Sequence, residues 1–172
     1  ESCGKCTFCR LGTAQMLDIL EDITRGEGKP GDIEFLEELA ADIKEGSLCG
    51  LGKTSPNPIL TTLRYFHEEY EAHIMEQRCP ALVCQELTAY YILPEKCERS
   101  CDACVGSCPV DAIFSGKRGI KVIEQEKCVN CGSCLTACPP QYTAVIKISP
   151  ISLLLPTEPR PPDEKGNNES NN

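Results

Sequence analysis

The chain has 172 residues, 14 of them cysteine, with no tryptophan, 4 phenylalanines and 5 tyrosines. So few aromatic residues make a thin core that metal centres or disulfides must supplement, which excludes an ordinary hydrophobic-core enzyme. With 17 basic against 26 acidic side chains the net charge is -9, which argues against a nucleic-acid partner, because phosphate contacts need a basic face. In chain order, Leu11, Ala14, Leu17, Leu20 and Ile23 recur at helical spacing until Gly26. Ile33, Leu36, Leu39, Ala40 and Ile43 do so until Gly46, with Asp32 expected as N-cap. A third helix is expected from Asn57-Pro58 through Ile59, Leu63, Phe66, Tyr70 and Ile74.

From Leu87 the texture changes to short strand-like runs, Leu87 to Leu93 and Ile120 to Ile123, with Gly116-Lys117-Arg118-Gly119 as a turn after Ile113-Phe114. Residues 1–46 carry 11 acids and 5 bases, residues 97–150 carry 5 acids and 6 bases, so two modules with different surfaces are expected. No stretch is apolar enough to span a membrane, and the start lacks the features of a signal peptide, so reduced thiols in a cytoplasmic setting are expected. A cysteine motif opening at Cys3 without an initiator methionine reads as a fragment of a longer polypeptide. The tail, 151–172, is proline-rich and polar and is expected to be disordered.

An internal repeat runs through the strand region. Ile92, Glu95, Lys96 and Cys97 return 31 residues later as Ile123, Glu126, Lys127 and Cys128. Cys101, Cys104, Cys108 and Pro109 return 30 residues later as Cys131, Cys134, Cys138 and Pro139. The second copy reads CxxCxxCxxxCP, a run whose soft thiolates suit iron and bridging sulfide. On these residues the stretch from Pro94 to Pro150 resembles the bacterial ferredoxins with two 4Fe-4S clusters. The resemblance implies crossed ligation: Cys97, Cys101 and Cys104 with Cys138 on one cluster, and Cys128, Cys131 and Cys134 with Cys108 on the other. Glu98-Arg99-Ser100 is one residue longer than the family spacing, which puts the first cluster's geometry and tuning in question. Structural zinc in the same four-cysteine sets is the alternative, and it gives no reason for the duplication.

At the start, Cys3, Cys6 and Cys9 form CxxCxxC, with Cys49 beyond two helices. Ser2-Cys3-Gly4-Lys5-Cys6-Thr7-Phe8-Cys9-Arg10-Leu11-Gly12 and Ser47-Leu48-Cys49-Gly50-Leu51-Gly52 resemble the NADH-binding flavoprotein subunit of respiratory complex I and the related subunits of NAD-linked and electron-bifurcating hydrogenases and formate dehydrogenases. The resemblance implies that these four cysteines hold a 4Fe-4S cluster that takes electrons from FMN. Phe8 and Leu11 depart from the family, which often has proline and glutamate there. Gly52-Lys53-Thr54 is no P-loop, since position 47 is Ser and no strand precedes it. Gly50 and Gly52 instead suit close backbone approach to cluster sulfurs, and Lys5, Arg10 and Lys53 suit charge compensation or plain surface.

Cys79 and Cys84 remain, six and eleven residues after His73. These three with a fourth ligand would form a zinc site; a 2Fe-2S site or two buried thiols are the other readings. The expected architecture is α+β: a helical 4Fe-4S domain (1–78), a hinge with the candidate metal site (79–93), and a ferredoxin-like two-cluster domain (94–150). The implied function is an electron conduit within an NAD(P)-linked flavin oxidoreductase, with FMN and NAD(H) bound by a part preceding residue 1. Expected partners are other redox subunits: a 2Fe-2S subunit and a hydrogenase or formate dehydrogenase subunit. A zinc-bound scaffold that only docks subunits is the alternative of a different class.

Overall fold

A computed structural model describes residues 2–151. The expected disordered tail, apart from Ile151, lies outside the described residues. Helices α1 (Thr7–Arg25) and α2 (Asp32–Gly46) pack side by side. They approach so closely that a Cβ on Gly12 would stand 2.6 Å from Ile43. Met16, Leu36, Ala40, Ile43 and Leu63 are at most 2 % exposed and form the centre of this helical unit. Burying side chains of this size is worth about 1.5–3 kcal/mol each, which holds the bundle together without any metal.

The inward face of α1 differs from the expected stripe. Cys9, Gly12, Met16 and Ile23 are buried, whereas Leu11 and Leu17 are 61 % and 53 % exposed. The true stripe begins with a cysteine and a glycine, which hydrophobic periodicity does not weigh, so the leucines misplace it. Asp32 is the first helical residue and not the cap: Gly31 precedes it at φ 100, and Asp32 Oδ2 accepts a hydrogen bond from the Lys29 N–H at 2.7 Å. The third helix is broken at Phe66 (φ -128, ψ 32) into α4 (Asn57–Tyr65) and α5 (His67–Met75), joined after the short α3 (Gly50–Thr54). The break turns Tyr70 and Ile74 onto the same core as Leu63 and leaves Phe66 exposed. A 2.8 Å hydrogen bond between Thr62 Oγ1 and the Tyr70 hydroxyl spans the bend.

The repeat becomes two strand–helix–strand units: β1 (Ala89–Ile92), α6 (Ala103–Ser107), β2 (Ile113–Ser115), then β3 (Lys121–Ile123), α7 (Ser133–Ala137), β4 (Val145–Ile148). The units interlock rather than stand apart. β1 pairs antiparallel with β4, Ala89 opposite Ile148, and β2 with β3, Ile113 opposite Ile123. Matching bonds follow each first strand: Leu93 N–H to Ala144 O and Glu124 N–H to Ala112 O, both 2.8 Å. Because β1 pairs with β4, the module takes in the end of the stretch expected as hinge, 79–93. The remainder of that stretch, with Gln77 just before it, ties the units together: Gln77 Nε2 donates to Gly26 O, Cys79 N–H to Ser149 Oγ, and Asn130 Nδ2 to Gln85 O and Thr88 O.

Candidate metal centres

The interlocked strands bring the eight cysteines of the repeat together across the two copies. One small cavity, of about 20 Å³, is lined by Cys97, Cys101, Cys104 and Cys138, with Ile92, Tyr142 and Val145. A second, of about 10 Å³, is lined by Cys108, Cys128, Cys131 and Cys134, with Tyr90, Ile113 and Ile123. Each cavity thus receives three cysteines from one copy and the proline-flanked fourth from the other. The fourth thiols are placed alike, Cys108 Sγ accepting the Ala112 N–H and Cys138 Sγ the Ala144 N–H, both at 3.3 Å. The extra residue in Glu98-Arg99-Ser100 does not close its cavity. It is taken up in a turn, Cys101 N–H to Glu98 O at 3.1 Å, with Arg99 against the hairpin at Gly119.

The thiols crowd one another. Burial, and then the neighbouring Cys97, pushes Cys104 up, and burial pushes Cys134 up to about 11. Groups so placed gain from a multivalent cation that lets all of them ionise together. Soft sulfur donors, enclosed space and converging thiols fit an iron-sulfur cluster in each cavity. Tyr90 and Gly132, which the spacing argument passed over, close the second cavity: a Cβ on Gly132 would stand 2.7 Å from the Tyr90 hydroxyl oxygen.

The first set of four lies at the end of the helical bundle. Cys6 is the N-cap of α1, Cys9 stands in its first turn, and Cys49 is the N-cap of α3. The backbone N–H groups of Cys9 and then Leu48 hold the Cys6 thiol below its ordinary value, so the loop before Cys49 lies against Cys6. The Gly52 backbone presses on this loop, a Cβ there meeting Ser47 at 2.6 Å and Cys9 at 3.3 Å. Gly50 has open space around it, so the close approach belongs to Gly52. Ser47 is 3 % exposed, and its buried hydroxyl, which makes no close hydrogen bond among the described residues, faces the Cys6 thiol and helps hold it below its ordinary value. A buried hydroxyl turned to Cys6 fits a sulfur-rich group held between these loops. Arg10 folds back over the first loop, its Nη1 3.3 Å from where a Gly4 Cβ would stand.

The structure brings together His73, Cys79 and Cys84, whose ligand atoms all lie within 4.8 Å of one another. His73 Nδ1 engages the Glu69 carbonyl at 2.6 Å, which leaves Nε2 facing Cys84 Sγ at 3.4 Å. An outer hydrogen bond to a backbone carbonyl is the usual way a ligating imidazole is held. Burial raises the Cys79 thiol, but N–H groups of Cys84 and Val83, then the Cys84 and His73 side chains, bring it down to about 7. Burial and Cys79 push Cys84 up to about 11. His67 takes no part and sits exposed 3.6 Å from Glu71.

Among the described residues no helix is long and apolar enough to cross a membrane. Residues 1–73 match the NADH-ubiquinone oxidoreductase-F iron-sulfur binding region, and residues 89–139 match the 4Fe-4S dicluster domain. NADP-reducing hydrogenase subunit HndC of Solidesulfovibrio fructosivorans is 48 % identical over 118 residues, covering 69 % of this chain and 24 % of that protein. The NADH-quinone oxidoreductase-F protein of Streptomyces coelicolor is 46 % identical over 80 residues, 46 % of this chain and 18 % of that protein. Its Escherichia coli counterpart is 43 % identical over 77 residues, 44 % of this chain and 17 % of that protein. The chain spans at most about a quarter of the length of these relatives. Residues 1–73 are thus similar to the iron-sulfur binding region and residues 89–139 to the 4Fe-4S dicluster domain, and over that part the chain is a homologue of the NADH-quinone oxidoreductase-F proteins and the NADP-reducing hydrogenase subunit.

Proposed function

We propose that this chain relays single electrons through three 4Fe-4S centres within a cytoplasmic NAD(P)H-linked flavin oxidoreductase. Cys3, Cys6, Cys9 and Cys49 would hold the first; Cys97, Cys101, Cys104 and Cys138 the second; Cys128, Cys131, Cys134 and Cys108 the third. The observation that carries the reading is the pair of cavities, each lined by four cysteines drawn three from one repeat and one from the other. The clusters supply reversible one-electron redox chemistry, at potentials set by hydrogen bonding, burial and charge. The chain's own residues hold, insulate and tune them. Ile92, Tyr142 and Val145 keep water from one centre, Tyr90 shields the other, and the Leu48 N–H and Ser47 hydroxyl face the sulfurs of the first.

In this reading FMN and NAD(H) bind a part of the polypeptide outside the present chain, and electrons pass onward to partner redox subunits: a 2Fe-2S subunit and a hydrogenase or formate dehydrogenase subunit. His73, Cys79 and Cys84 would hold zinc that pins the end of α5 to the segment leading into β1, a structural role. Their fixed imidazole and closely spaced ligand atoms support it. Iron, sulfide and zinc analysis of protein isolated without oxygen tests the whole. About twelve iron and twelve sulfide per chain, with one zinc, are expected from three cubanes and one tetrahedral site. Zinc without iron would replace the relay with a docking scaffold.

A further inference from the structure

The repeat relates Tyr90 to Lys121 and Asp102 to Gly132, at shifts of 31 and 30 residues. The interlocked strands make these four residues into two equivalent contacts. Tyr90 on β1 reaches over to Gly132, between Cys131 and Cys134. Lys121 on β3 reaches over to Asp102, between Cys101 and Cys104, with Nζ to Oδ1 at 2.6 Å. The same place in the two halves therefore holds a neutral aromatic at one four-cysteine cavity and an ammonium at the other.

The two charges of the Lys121–Asp102 pair do not cancel. Lys121 is buried, 4 % exposed, and is held by Ser115 Oγ at 2.7 Å, whereas the Asp102 side chain is 71 % exposed. Water screens the carboxylate far more than the ammonium, so the residual field inside the module is positive. Across the axis Lys147 Nζ lies 5.6 Å from the Tyr90 ring centroid, and its charge also acts on Cys84.

We infer that Lys121 sets the two centres of the duplicated module apart, making the one held by Cys97, Cys101, Cys104 and Cys138 the easier to reduce. This rests on the reading of both four-cysteine sets as cluster ligands. A positive charge favours whichever state carries one more electron. One electron then passes from the reduced centre beside Tyr90 to the oxidised centre beside Lys121. The first loses the electron that the second gains; no bond forms and no proton moves. Lys121 is a positioning residue for charge: it touches the loop between two ligands, and it binds no substrate.

Potentiometric titration of the holoprotein, isolated without oxygen and followed by EPR, tests the inference. Lys121→Met should lower the midpoint of the centre beside it by about tenfold in the reduction equilibrium, or 59 mV for one electron. Lys121→Arg should restore it. Asp102→Asn, at a solvent-exposed position, should move the same midpoint the other way, and neither change should move the centre beside Tyr90. Iron content equal to the parent in all variants, with both midpoints unmoved or shifted together, overturns the inference. A parent module without cluster iron overturns the underlying ligand reading instead.

Discussion

The helical unit and the duplicated module place their cysteines in opposite relations to their cores. In the helical unit, Met16, Leu36, Ala40, Ile43 and Leu63 form a metal-free centre, and Cys6, Cys9 and Cys49 stand at helix starts outside it. In the duplicated module cysteines form part of the centre, beside Tyr90, Ile92, Ile113, Ile123, Ala144 and Val145. Cys104 and Cys134 belong to its buried cluster, and Cys97, Cys108, Cys128 and Cys138 pack against it. The strands are three or four residues long and pair only in twos, too little to stand alone in water. On the proposed reading, one unit would fold and then receive its cluster, whereas the other would need its clusters in order to fold.

Stripping iron with a chelator should separate the two units most widely. Amide exchange should then lose all protection over 89–148 while α1 and α2 keep theirs, and equal loss in both would erase the distinction. Next, Cys108→Ser should abolish the reduced-cluster EPR signal of the centre whose other ligands lie in the second copy, and Cys138→Ser the reverse. Signals lost within the mutated copy would show that ligation is not crossed. Leu36→Ala should cost the helical unit about 2–5 kcal/mol, read as a lower melting temperature at unchanged iron content. Replacing His73 with Ala should remove zinc and leave iron alone, a result that an unchanged zinc-to-protein ratio would contradict. The subtlest change belongs to Ser47→Ala, which should lower only the first centre's midpoint by removing the buried hydroxyl beside Cys6. No shift there would mean that the hydroxyl is idle.

The cysteine spacings sorted the eight thiols of the repeat into the two sets that each line one cavity, because that pattern is written locally and twice over. The homology to the flavoprotein subunit family was equally legible in the Cys3 to Gly12 and Ser47 to Gly52 stretches. What periodicity misplaced were positions decided by packing between elements. Gly12 faces inward on α1 because α2 comes too close for anything larger, Cys9 lies buried against Gly52, and Leu11 faces outward. Phe66 interrupts a continuous apolar pattern, since Tyr70 and Ile74 reach the core better from a bent chain. Lys121 resembled an ordinary strand lysine; only the pairing of β3 across the repeat carries it to Asp102.

The pairing of β1 with β4 has a mechanical corollary. The first and last strands of the module are hydrogen-bonded neighbours, about 4.8 Å apart, so the polypeptide enters and departs at a single seam. Tension applied through the flanking segments would pull on that seam before any other part. Ile92 and Val145, which face each other across it, also wall the Cys97 cavity. Unzipping from Ala89 and Ile148 would free Tyr90, a wall of the Cys128 cavity, before Ile92 and Val145, so on the proposed reading the two centres would meet oxygen one after the other.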